Sequence, residues 1–362
     1  MHQAIQLAKR GQGFTSPNPL VGAIIVKNGR IVGKGYHQKA GQAHAEVVAL
    51  QQAGEQAKDA TLYVNLEPCA HFGKTPPCTK ALISAGLKRV VIATQDPNPL
   101  VDGKGIEELK QHGIQVEVGL LAKRATHLNE VFFTNCLAGR PFIALKSAAT
   151  LDGKTALPGQ ERVLITNERS RTYSRTLRGF YDAVMVGINT LLKDDPDLTP
   201  RLERFKTKGI IRVICDTYGQ TPPTARIFQG LPQHPIIVAV SKQARAANLK
   251  RLSKAGARVL LVEETAGKLE LDDLIQKLYN LGISSIFVEG GSILHTSFFC
   301  QGLFDKFYLF LAPRFLGGEN PASLIRGCVA SLKDAPSLVR RSLRFFDEDL
   351  MLELYPAGTM FV

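Results

Sequence analysis

The sequence has no tryptophan, and no apolar run approaches the roughly 20 residues that a membrane-spanning helix needs. Its first 14 residues lack the apolar stretch and the small-residue cleavage site of an export signal. Six cysteines in 362 residues are too few for a disulfide framework, and four of them stand alone in sequence. We therefore expect a soluble protein of the reducing cytoplasm with no membrane partner.

Acidic residues are in the minority, because 45 Lys and Arg against 32 Asp and Glu give a formal net charge of +13. Residues 1–140 hold 16 basic and 10 acidic side chains, a net +6, and residues 141–362 hold 29 and 22, a net +7. This shared positive charge suits anionic partners, whether phosphorylated metabolites, nucleotides or nucleic acid, and it does not choose among them.

The length predicts two domains, and a 44% apolar, 21% charged composition is that of a globular protein. Helical and strand patterns alternate in the first third, where the Asn-Gly dipeptide at 28–29 predicts a hairpin turn between two strands. This order predicts a parallel or mixed sheet covered by helices, followed by one last helix at about 123–138. The Gly-Arg-Pro run at 139–141 then separates domains 1–140 and 141–362.

The second part repeats the α/β class without repeating the sequence. Seven apolar segments read as buried strands, the last of which ends at Leu311, and four helical patterns lie between them. The connections at 152–166 and 188–208 read as long and irregular. Loops of that length in a compact domain are usually functional, so we expect both to line a site.

One constellation in the first domain indicates metal chemistry. His44 and Glu46 open a predicted helix, and Cys69 and Cys78 each follow a proline. A catalytic zinc needs three nitrogen or sulfur ligands and an open position for water, whose pKa it brings to about 7. Glu46 can take the proton of that water and return it to a leaving amine. The pattern predicts Zn²⁺ on His44, Cys69 and Cys78 and hydrolytic deamination of a heteroaromatic ring.

The spacing of the cysteines leaves alternatives open. Eight residues separate Cys69 from Cys78, whereas nucleobase deaminases have two, so a loop with two buried thiols is the other interpretation. His71 is an extra candidate ligand. A fourth protein ligand would close the site and leave a structural zinc, so we favour a substrate contact for His71.

Three segments resemble the bifunctional riboflavin-biosynthesis deaminase/reductase family of bacteria. They are residues 16–22 (SPNPLVG), 44–47 (HAEV) and 67–78 (EPCAHFGKTPPC), and the similarity continues through 95–99 (QDPNP) over nearly the whole chain. It implies an N-terminal cytidine-deaminase-like three-layer domain followed by a dihydrofolate-reductase-like α/β domain. The implied reactions are zinc-dependent deamination of 2,5-diamino-6-(5-phosphoribosylamino)pyrimidin-4-one, then NADPH reduction of the ribosyl group of 5-amino-6-(5-phosphoribosylamino)uracil to ribityl.

The resemblance also implies substrate contacts in the first domain, at Asn18, His71, Lys74 and Thr75. The alternative for each is turn chemistry, with Lys74 as a solvated charge. The implied partner is a phosphorylated pyrimidine, and the sequence is compatible with a homo-oligomer.

The second domain lacks the G-x-G-x-x-G fingerprint of dinucleotide binding. Gly290, Gly291 and Ser292 offer another phosphate cradle, because they follow a predicted strand and open a predicted helix. Taken alone, such a turn is more often a tight connection than a ligand site.

The family resemblance strengthens this cradle residue by residue. Implied cofactor contacts are Ala148, Leu164, Thr190, Asp194 and Thr217, beside Gly290, Gly291 and Ser292. Implied substrate contacts are Arg162, Arg178, Leu198, Arg201 and Glu289. A guanidinium fork binds phosphate bidentately, although Arg178 and Arg201 could instead be solvated charges.

One stretch departs from the family. Where the family usually has Ser-x-Trp-Ile-Thr, this chain has Arg162-Val163-Leu164-Ile165-Thr166. Leucine covers a ring by apolar contact but lacks the aromatic surface and the indole hydrogen bond. We expect altered cofactor affinity or a weakened reductase.

Two other functions remain open. The charge permits a zinc deaminase that acts on a nucleic-acid base and has a non-catalytic second domain. A nonenzymatic nucleic-acid-binding protein with structural zinc is opposed by the missing fourth ligand and by Glu46. The two-site enzyme is favoured because the reductase-like half otherwise has no role, so we expect no nucleic-acid partner.

Overall fold

The computed structural model describes residues 1–72, 76–156, 164–317, 322–327, 333 and 335–361. In chain order, its helices and strands are α1 (His2–Ala8), β1 (Gly22–Lys27), β2 (Arg30–Tyr36), α2 (Ala45–Ala53), β3 (Thr61–Val64), α3 (Cys78–Ser84), β4 (Arg89–Ile92), α4 (Lys104–Gln111), β5 (Gln115–Val118), α5 (Ala122–Leu128), α6 (Glu130–Ala138), β6 (Phe142–Thr150), β7 (Lys154–Ala156), α7 (Glu168–Arg178), β8 (Ala183–Gly187), α8 (Ile188–Asp194), β9 (Ile211–Cys215), β10 (Ile236–Val240), α9 (Ala246–Lys254), β11 (Arg258–Leu261), β12 (Glu264–Thr265), β13 (Lys268–Leu269), α10 (Leu271–Asn280), β14 (Ser285–Glu289), α11 (Ser292–Cys300), β15 (Lys306–Ala312), β16 (Ala322–Ser323), β17 (Leu338–Phe346) and β18 (Asp349–Pro356). Apart from the C-terminal tip, the chain divides into unit 1 (Met1–Gly139) and unit 2 (Arg140–Met360).

Unit 1 contains a five-stranded mixed sheet in the order β2-β1-β3-β4-β5. Strand β1 is antiparallel to β2 and β3, and β3, β4 and β5 are parallel. The predicted hairpin is confirmed, and Asn28 (φ 50°) and Gly29 (φ 74°) supply the two positive φ angles that its tight turn requires.

Small residues bring α2 unusually close to this sheet. Ala45, Ala49 and Ala53 form the buried face of the helix. A Cβ at Gly35 would lie 2.1 Å from the Ala45 carbonyl oxygen, and one at Gly33 would lie 2.2 Å from that of Ala49. Glycine in β2 is therefore required for this packing, which fixes the N-terminus of α2 and the side chains at its first turn.

The last helix predicted for unit 1 is wrong in one respect, because it breaks at Asn129 into α5 and α6. The Asn129 side chain accepts a hydrogen bond from Leu20 N (2.7 Å) and donates one to Leu20 O (3.0 Å). Asn129 thus serves the backbone of a distant segment and leaves the helical conformation (φ −102°, ψ 25°). No periodicity in the sequence reports such a long-range bond.

Unit 2 contains a nine-stranded sheet in the order β11-β10-β9-β8-β14-β6-β15-β18-β17. The first seven strands are parallel, and they are the seven predicted from sequence. The core packs buried Val, Ile, Leu and Phe side chains of this sheet against α10 and α11. The predicted α/β class is thereby confirmed in both units.

Three parts of unit 2 differ from the sequence-based expectation. The connection at 152–166 was predicted to be irregular but contains strand β7, which pairs with β16 and is too short, at three residues, for an alternating pattern to be recognised. The C-terminal hairpin β17–β18 was not predicted, because β17 is a largely exposed edge strand whose Arg340, Arg341 and Arg344 hide any apolar alternation. The predicted irregular connection at 188–208 begins with helix α8, whose seven residues are too few for a helical periodicity to be recognised in the sequence.

The structure also bears on two other expectations from the sequence, the state of the cysteines and the lack of membrane-spanning helices. Cys69, Cys78, Cys136 and Cys215 are free, whereas Cys300 is disulfide-bonded, which was not expected of a chain predicted to have reduced cysteines. Within the described ranges, no helix has both the length and the apolar character needed to cross a bilayer.

Candidate metal centre and nucleotide cleft

The donor atoms of His44, Cys69 and Cys78 lie within 4.8 Å of one another. His44 Nδ1 is 3.1 Å from Cys78 Sγ and 3.5 Å from Cys69 Sγ, and the Cys78 backbone N–H donates to Cys69 Sγ at 3.4 Å. One imidazole nitrogen and two sulfurs facing one point are a donor set typical of zinc. The fold thus brings together the three residues predicted as ligands.

Two helix starts position these donors. His44 immediately precedes α2, and Cys78 is the first residue of α3. At Cys78, the hydrogen bond with Cys69 and burial raise the pKa, so this thiol is the one that keeps its proton. The hydrogen bond between Cys69 and Cys78 lowers the pKa of Cys69 to about 4, and His44 adds to this effect. The thiolate form that metal binding requires is therefore favoured at Cys69.

Glu46 lies in the first turn of α2, beside the three donors, with only 3% of its surface exposed. Burial raises its pKa to about 7, and the negative charge of Cys69 adds to the increase. Within the described part of the chain, Glu46 Oε2 has no hydrogen-bond partner. A buried carboxylate oxygen without a partner is rare, so the donor set and this oxygen together fit a zinc ion and its water. We call these four residues the metal centre.

The other residues predicted for unit 1 are only partly described. Asn18 Nδ2 lies 3.1 Å from Nε2 of His37, whose ring meets the His44 ring edge-on at a centroid distance of 5.4 Å. His37 Nδ1 donates to Ala43 O (3.2 Å), so its Nε2 accepts from Asn18 in the neutral form that burial favours by lowering the pKa. His37, which contacts both Asn18 and His44, was not predicted from the sequence.

The remaining predicted contacts lie on the Cys69–Cys78 loop. His71 Nδ1 is buried and has no hydrogen-bond partner among the described residues. Phe72 is 70% exposed, and the Lys80 ammonium lies 4.6 Å from its ring centroid. Lys74 and Thr75 lie outside the described residues.

Glu67 is a second residue that sequence reasoning missed. Its carboxylate is buried and accepts four hydrogen bonds from backbone N–H groups. The donors are Asp96 (3.1 Å), Gly103 (3.0 Å), Gly105 (2.9 Å) and Ile106 (3.2 Å). A Cβ at Gly105 would lie 2.0 Å from the Pro68 carbonyl oxygen. Glu67 therefore ties the segment 96–106 to the loop that begins with Cys69. The signal available in the sequence was an acidic residue two positions before Cys69.

Unit 2 has a cleft of about 730 Å³ at the carboxyl ends of its parallel strands. Eleven of the predicted residues line it: Ala148, Arg178, Thr190, Asp194, Leu164, Leu198, Thr217, Glu289, Gly290, Gly291 and Ser292. Arg201 is not among the lining residues, and Arg162 lies outside the described residues. The cleft is the kind of site in which open α/β sheets bind ligands.

The glycine pair in this cleft has the conformation of a cradle. Gly290 and Gly291 have φ angles of +77° and +81°, and α11 begins directly after them. A Cβ on Gly290 would lie 3.1 Å from Thr190 Cγ2, and one on Gly291 would lie 3.0 Å from Thr190 Oγ1. Side chains at these positions would be strained and crowded, so the start of the helix stays accessible to an anion.

A buried ion pair joins two of the predicted substrate residues. Arg178 donates through Nε and Nη2 to the two carboxylate oxygens of Glu289, at 2.6 and 2.8 Å, and its Nη1 lies 3.2 Å from Thr199 O. Burial alone would raise the pKa of Glu289, but the Arg178 guanidinium outweighs burial and holds it below its ordinary value. The fork expected to bind phosphate is thus occupied by Glu289. Arg201 pairs with Asp197 at 3.2 Å on the surface.

Further residues that line the cleft were not predicted, among them Lys146, Arg175 and His295. Lys146 is a lysine within the apolar strand β6, which was a usable signal. His295 lies on α11 with its Nε2 3.3 Å from Val288 O, and burial lowers its pKa to about 4, so the ring is neutral at pH 7.

Two family models match the chain. The cytidine and deoxycytidylate deaminase zinc-binding region matches residues 1–94, and the RibD C-terminal domain matches residues 141–349. The first match contains the whole metal centre, and the second contains all the residues that line the cleft.

Similar proteins extend over the full length. Riboflavin biosynthesis protein RibD of Aquifex aeolicus is 44% identical over 353 residues, which cover 97% of this chain and 96% of that protein. The structure of Acinetobacter baumannii RibD, form 1, is 38% identical with a TM-score of 0.88, covering 99% and 98% of the two chains. A diaminohydroxyphosphoribosylaminopyrimidine deaminase/5-amino-6-(5-phosphoribosylamino)uracil reductase from Thermotoga maritima is 36% identical with a TM-score of 0.85, covering 99% and 97%.

Proposed function

The chain belongs to the bifunctional deaminase/reductase family of riboflavin biosynthesis, and we propose that each unit performs one of the two reactions. Domain 1–140 deaminates 2,5-diamino-6-(5-phosphoribosylamino)pyrimidin-4-one. Domain 141–362 reduces the ribosyl group of 5-amino-6-(5-phosphoribosylamino)uracil to ribityl with NADPH. The observation that supports this most directly is the metal centre, in which three donor atoms lie within 4.8 Å of one another and the buried Glu46 Oε2 has no hydrogen-bond partner among the described residues.

His44 Nδ1 and the sulfurs of Cys69 and Cys78 would hold the zinc ion. When bound, zinc acts as a Lewis acid that makes water nucleophilic near neutral pH. Three protein ligands are typical of catalytic zinc and four of structural zinc, so His71 is assigned to the substrate.

Glu46 moves the proton. Its Oε2 takes a proton from the attacking water and delivers it to the amino group, which leaves as ammonia. Burial in the first turn of α2 keeps bulk water from competing for this oxygen, and no described side chain holds it away from the reaction.

Asn18, His71, Lys74 and Thr75 bind the first substrate. Because Asn18 donates through Nδ2 to His37, its Oδ1 is left to accept an N–H of the pyrimidine. His71 Nδ1, which has no hydrogen-bond partner in the described part of the chain, offers a second hydrogen bond. The charge of Lys74 and the hydroxyl of Thr75 suit the phosphate.

The cofactor lies along the cleft of unit 2. Ala148 and Leu164 contact the nicotinamide half, and the backbone N–H groups at Gly290, Gly291 and Ser292 bind the diphosphate at the start of α11. The remaining contacts are Thr190, Asp194 and Thr217. Hydride transfer depends on positioning more than on an acid or base, so these residues act by holding the two reactants in register.

The second substrate is held by a different set of residues. Leu198 supplies an apolar contact, and the Arg178–Glu289 pair forms a preorganised polar wall. Arg201, whose side chain is 55% exposed, and Arg162 supply positive charge for the sugar phosphate. Positively charged contacts for this phosphate in both units are consistent with the shared +6 and +7 charge.

The test is to supply the diaminopyrimidine ribosylphosphate to the zinc-loaded protein, with and without NADPH, and to follow ammonia and NADPH absorbance. Ammonia is expected in both cases, and absorbance loss only with NADPH present. Silence in both signals contradicts the proposal, and ammonia release from single-stranded DNA or RNA would favour the nucleic-acid alternative. Cytoplasmic location and a homo-oligomeric state stay predictions of the sequence.

A further inference from the structure

The proposed cofactor contacts follow the strand order of the sheet in unit 2. The order β9-β8-β14-β6 places Thr217 after β9, Thr190 after β8, Gly290 after β14 and Ala148 within β6. Neighbouring strands lie about 4.8 Å apart, so these four strands span about 14 Å. A dinucleotide with its nicotinamide at Ala148 and its diphosphate at Gly290 therefore directs its adenosine toward β9.

The strand register places these contacts at the same level along the strand direction. Glu289 pairs with Lys146, so the glycine pair is level with Ala148. On the other side, Gly187 pairs with Cys215, so the start of α8 is level with Thr217. The adenosine ribose then reaches the end of the cleft that lies beyond β9.

A small hairpin, β12–β13, closes that end. A Cβ at Gly267, in the turn of the hairpin, would lie 3.4 Å from the hydroxyl oxygen of Tyr218, the residue after Thr217. Tyr218, Gly267 and Lys268 all line the cleft. The hairpin thus brings Lys268 to the adenosine end.

Lys268 is the cation best placed to act there. Its side chain is exposed, and no carboxylate among the described residues forms an ion pair with it. Glu264 accepts from Gly267 N (2.7 Å) within the same turn and forms no ion pair with Lys268, and Glu263, which precedes the hairpin, pairs with Lys242. Lys193 also lines the cleft, but it is followed directly by Asp194 and Asp195.

NADPH differs from NADH by one phosphate on the adenosine 2′ oxygen, and a cation at that point distinguishes the two. We propose that Lys268 binds this 2′-phosphate and makes unit 2 selective for NADPH. The inference rests on the proposed reductase function and on the direction of the cofactor derived from the strand order.

The experiment compares wild type with Lys268→Gln. Calorimetry measures affinity for 2′,5′-ADP and for 5′-AMP, and reduction is measured with NADPH and with NADH. A lost charge-assisted hydrogen bond predicts about a tenfold fall in affinity for 2′,5′-ADP, with little change for 5′-AMP. The ratio of kcat/KM for NADPH to that for NADH should fall by a similar factor, mainly through KM. Lys268→Arg should restore the preference.

Lys254→Gln is the matched control, because Lys254 is an exposed lysine in the last turn of α9 and is not among the residues that line the cleft. An unchanged nucleotide preference in Lys268→Gln overturns the inference, and a loss in Lys193→Gln instead assigns the role to Lys193. A wild-type protein that binds neither nucleotide and oxidises neither cofactor would contradict the reductase proposal itself, and with it the inference. A wild type that binds nucleotides without preference would overturn the inference alone.

Discussion

The metal centre and the cleft organise their polar groups in different ways. In unit 1, the ligands and Glu46 come from two helix starts and one loop, within 35 residues of sequence. In unit 2, the central ion pair joins Arg178 at the end of α7 to Glu289 at the end of β14, 111 residues away. The first site is specified by short motifs and the second by sheet topology. Changes in unit 1 should therefore act on chemistry alone, and changes in unit 2 on chemistry and stability together.

The largest expected effect is that of Glu46→Gln, which tests whether unit 1 can lose its chemistry without losing its structure. Removing the proton carrier should lower ammonia release by about 1000-fold. Zinc content and reduction of supplied 5-amino-6-(5-phosphoribosylamino)uracil should stay unchanged. Metal analysis and the ammonia assay check this, with Glu55→Gln on the exposed surface as the control. Retained ammonia release would remove Glu46 from the proton-transfer role.

Glu289→Ala makes the opposite test in unit 2. Arg178 would be left as a buried charge without its partner, which costs about 3–5 kcal/mol of unfolding free energy. Reduction should fail, whereas ammonia release should persist. Calorimetry of the full chain should show a lower transition for unit 2. The double change Arg178→Met and Glu289→Leu should recover much of the stability but not the activity, and a fully stable single variant would contradict this account.

The stability of unit 2 should also depend on pH through His295. Burial lowers the folded-state pKa of this histidine to about 4, whereas its unfolded value is about 6.5, so the unfolded state binds more protons between these values. The contribution is complete above pH 6.5 and is lost as the pH falls toward 4, by about 3 kcal/mol. Lys146 and Glu289 are the charged groups that act on His295.

Denaturant unfolding at several pH values measures this slope. His295→Leu should reduce the slope between pH 6.5 and 4, leaving the contributions of His234, whose pKa burial also lowers, and of carboxylates such as Glu289. His112→Gln, an exposed histidine in unit 1, is the matched control and should keep the slope. Equal slopes in the two variants would show that His295 does not titrate in this range.

The smallest effect concerns Leu164, which stands where the family usually has tryptophan and is half exposed at the cleft. Leu164→Trp should tighten NADPH binding by a few-fold through added aromatic contact. The chain has no other tryptophan, so quenching of the new fluorescence reports binding directly. Leu164→Phe separates aromatic surface from the indole N–H. Unchanged affinity in both variants would show that the departure at this position has no effect.

The ligands of the metal centre could be predicted from sequence because their residue types indicate metal chemistry by themselves. His44, Cys69 and Cys78 indicate a metal site without any knowledge of long-range packing, and the role of Glu46 in proton transfer stays a prediction. The seven parallel strands were predictable for a similar reason, since strands buried on both faces are apolar throughout. The edge strand β17 has no such signal, because most of its side chains face water.

The features that escaped prediction depend on contacts between distant residues. Asn129 interrupts a helix and hydrogen-bonds to the backbone of Leu20, and Glu67 accepts hydrogen bonds from backbone N–H groups up to 39 residues away. Arg178 was expected to bind phosphate, but its fork is held by Glu289, which lies at the end of β14 and 111 residues away in sequence. No local pattern encodes which partner a buried polar group finds.

The clamp formed by Glu67 has a consequence for how the gene can vary. One carboxylate holds backbone groups from Asp96 to Ile106 and stands two residues before Cys69. An insertion or deletion within 96–106 would move these N–H groups, and the displacement would be passed to the cysteine rather than absorbed at the surface. Although 96–103 is largely loop, its length is set by the metal centre, so it should be avoided as a grafting or tagging site.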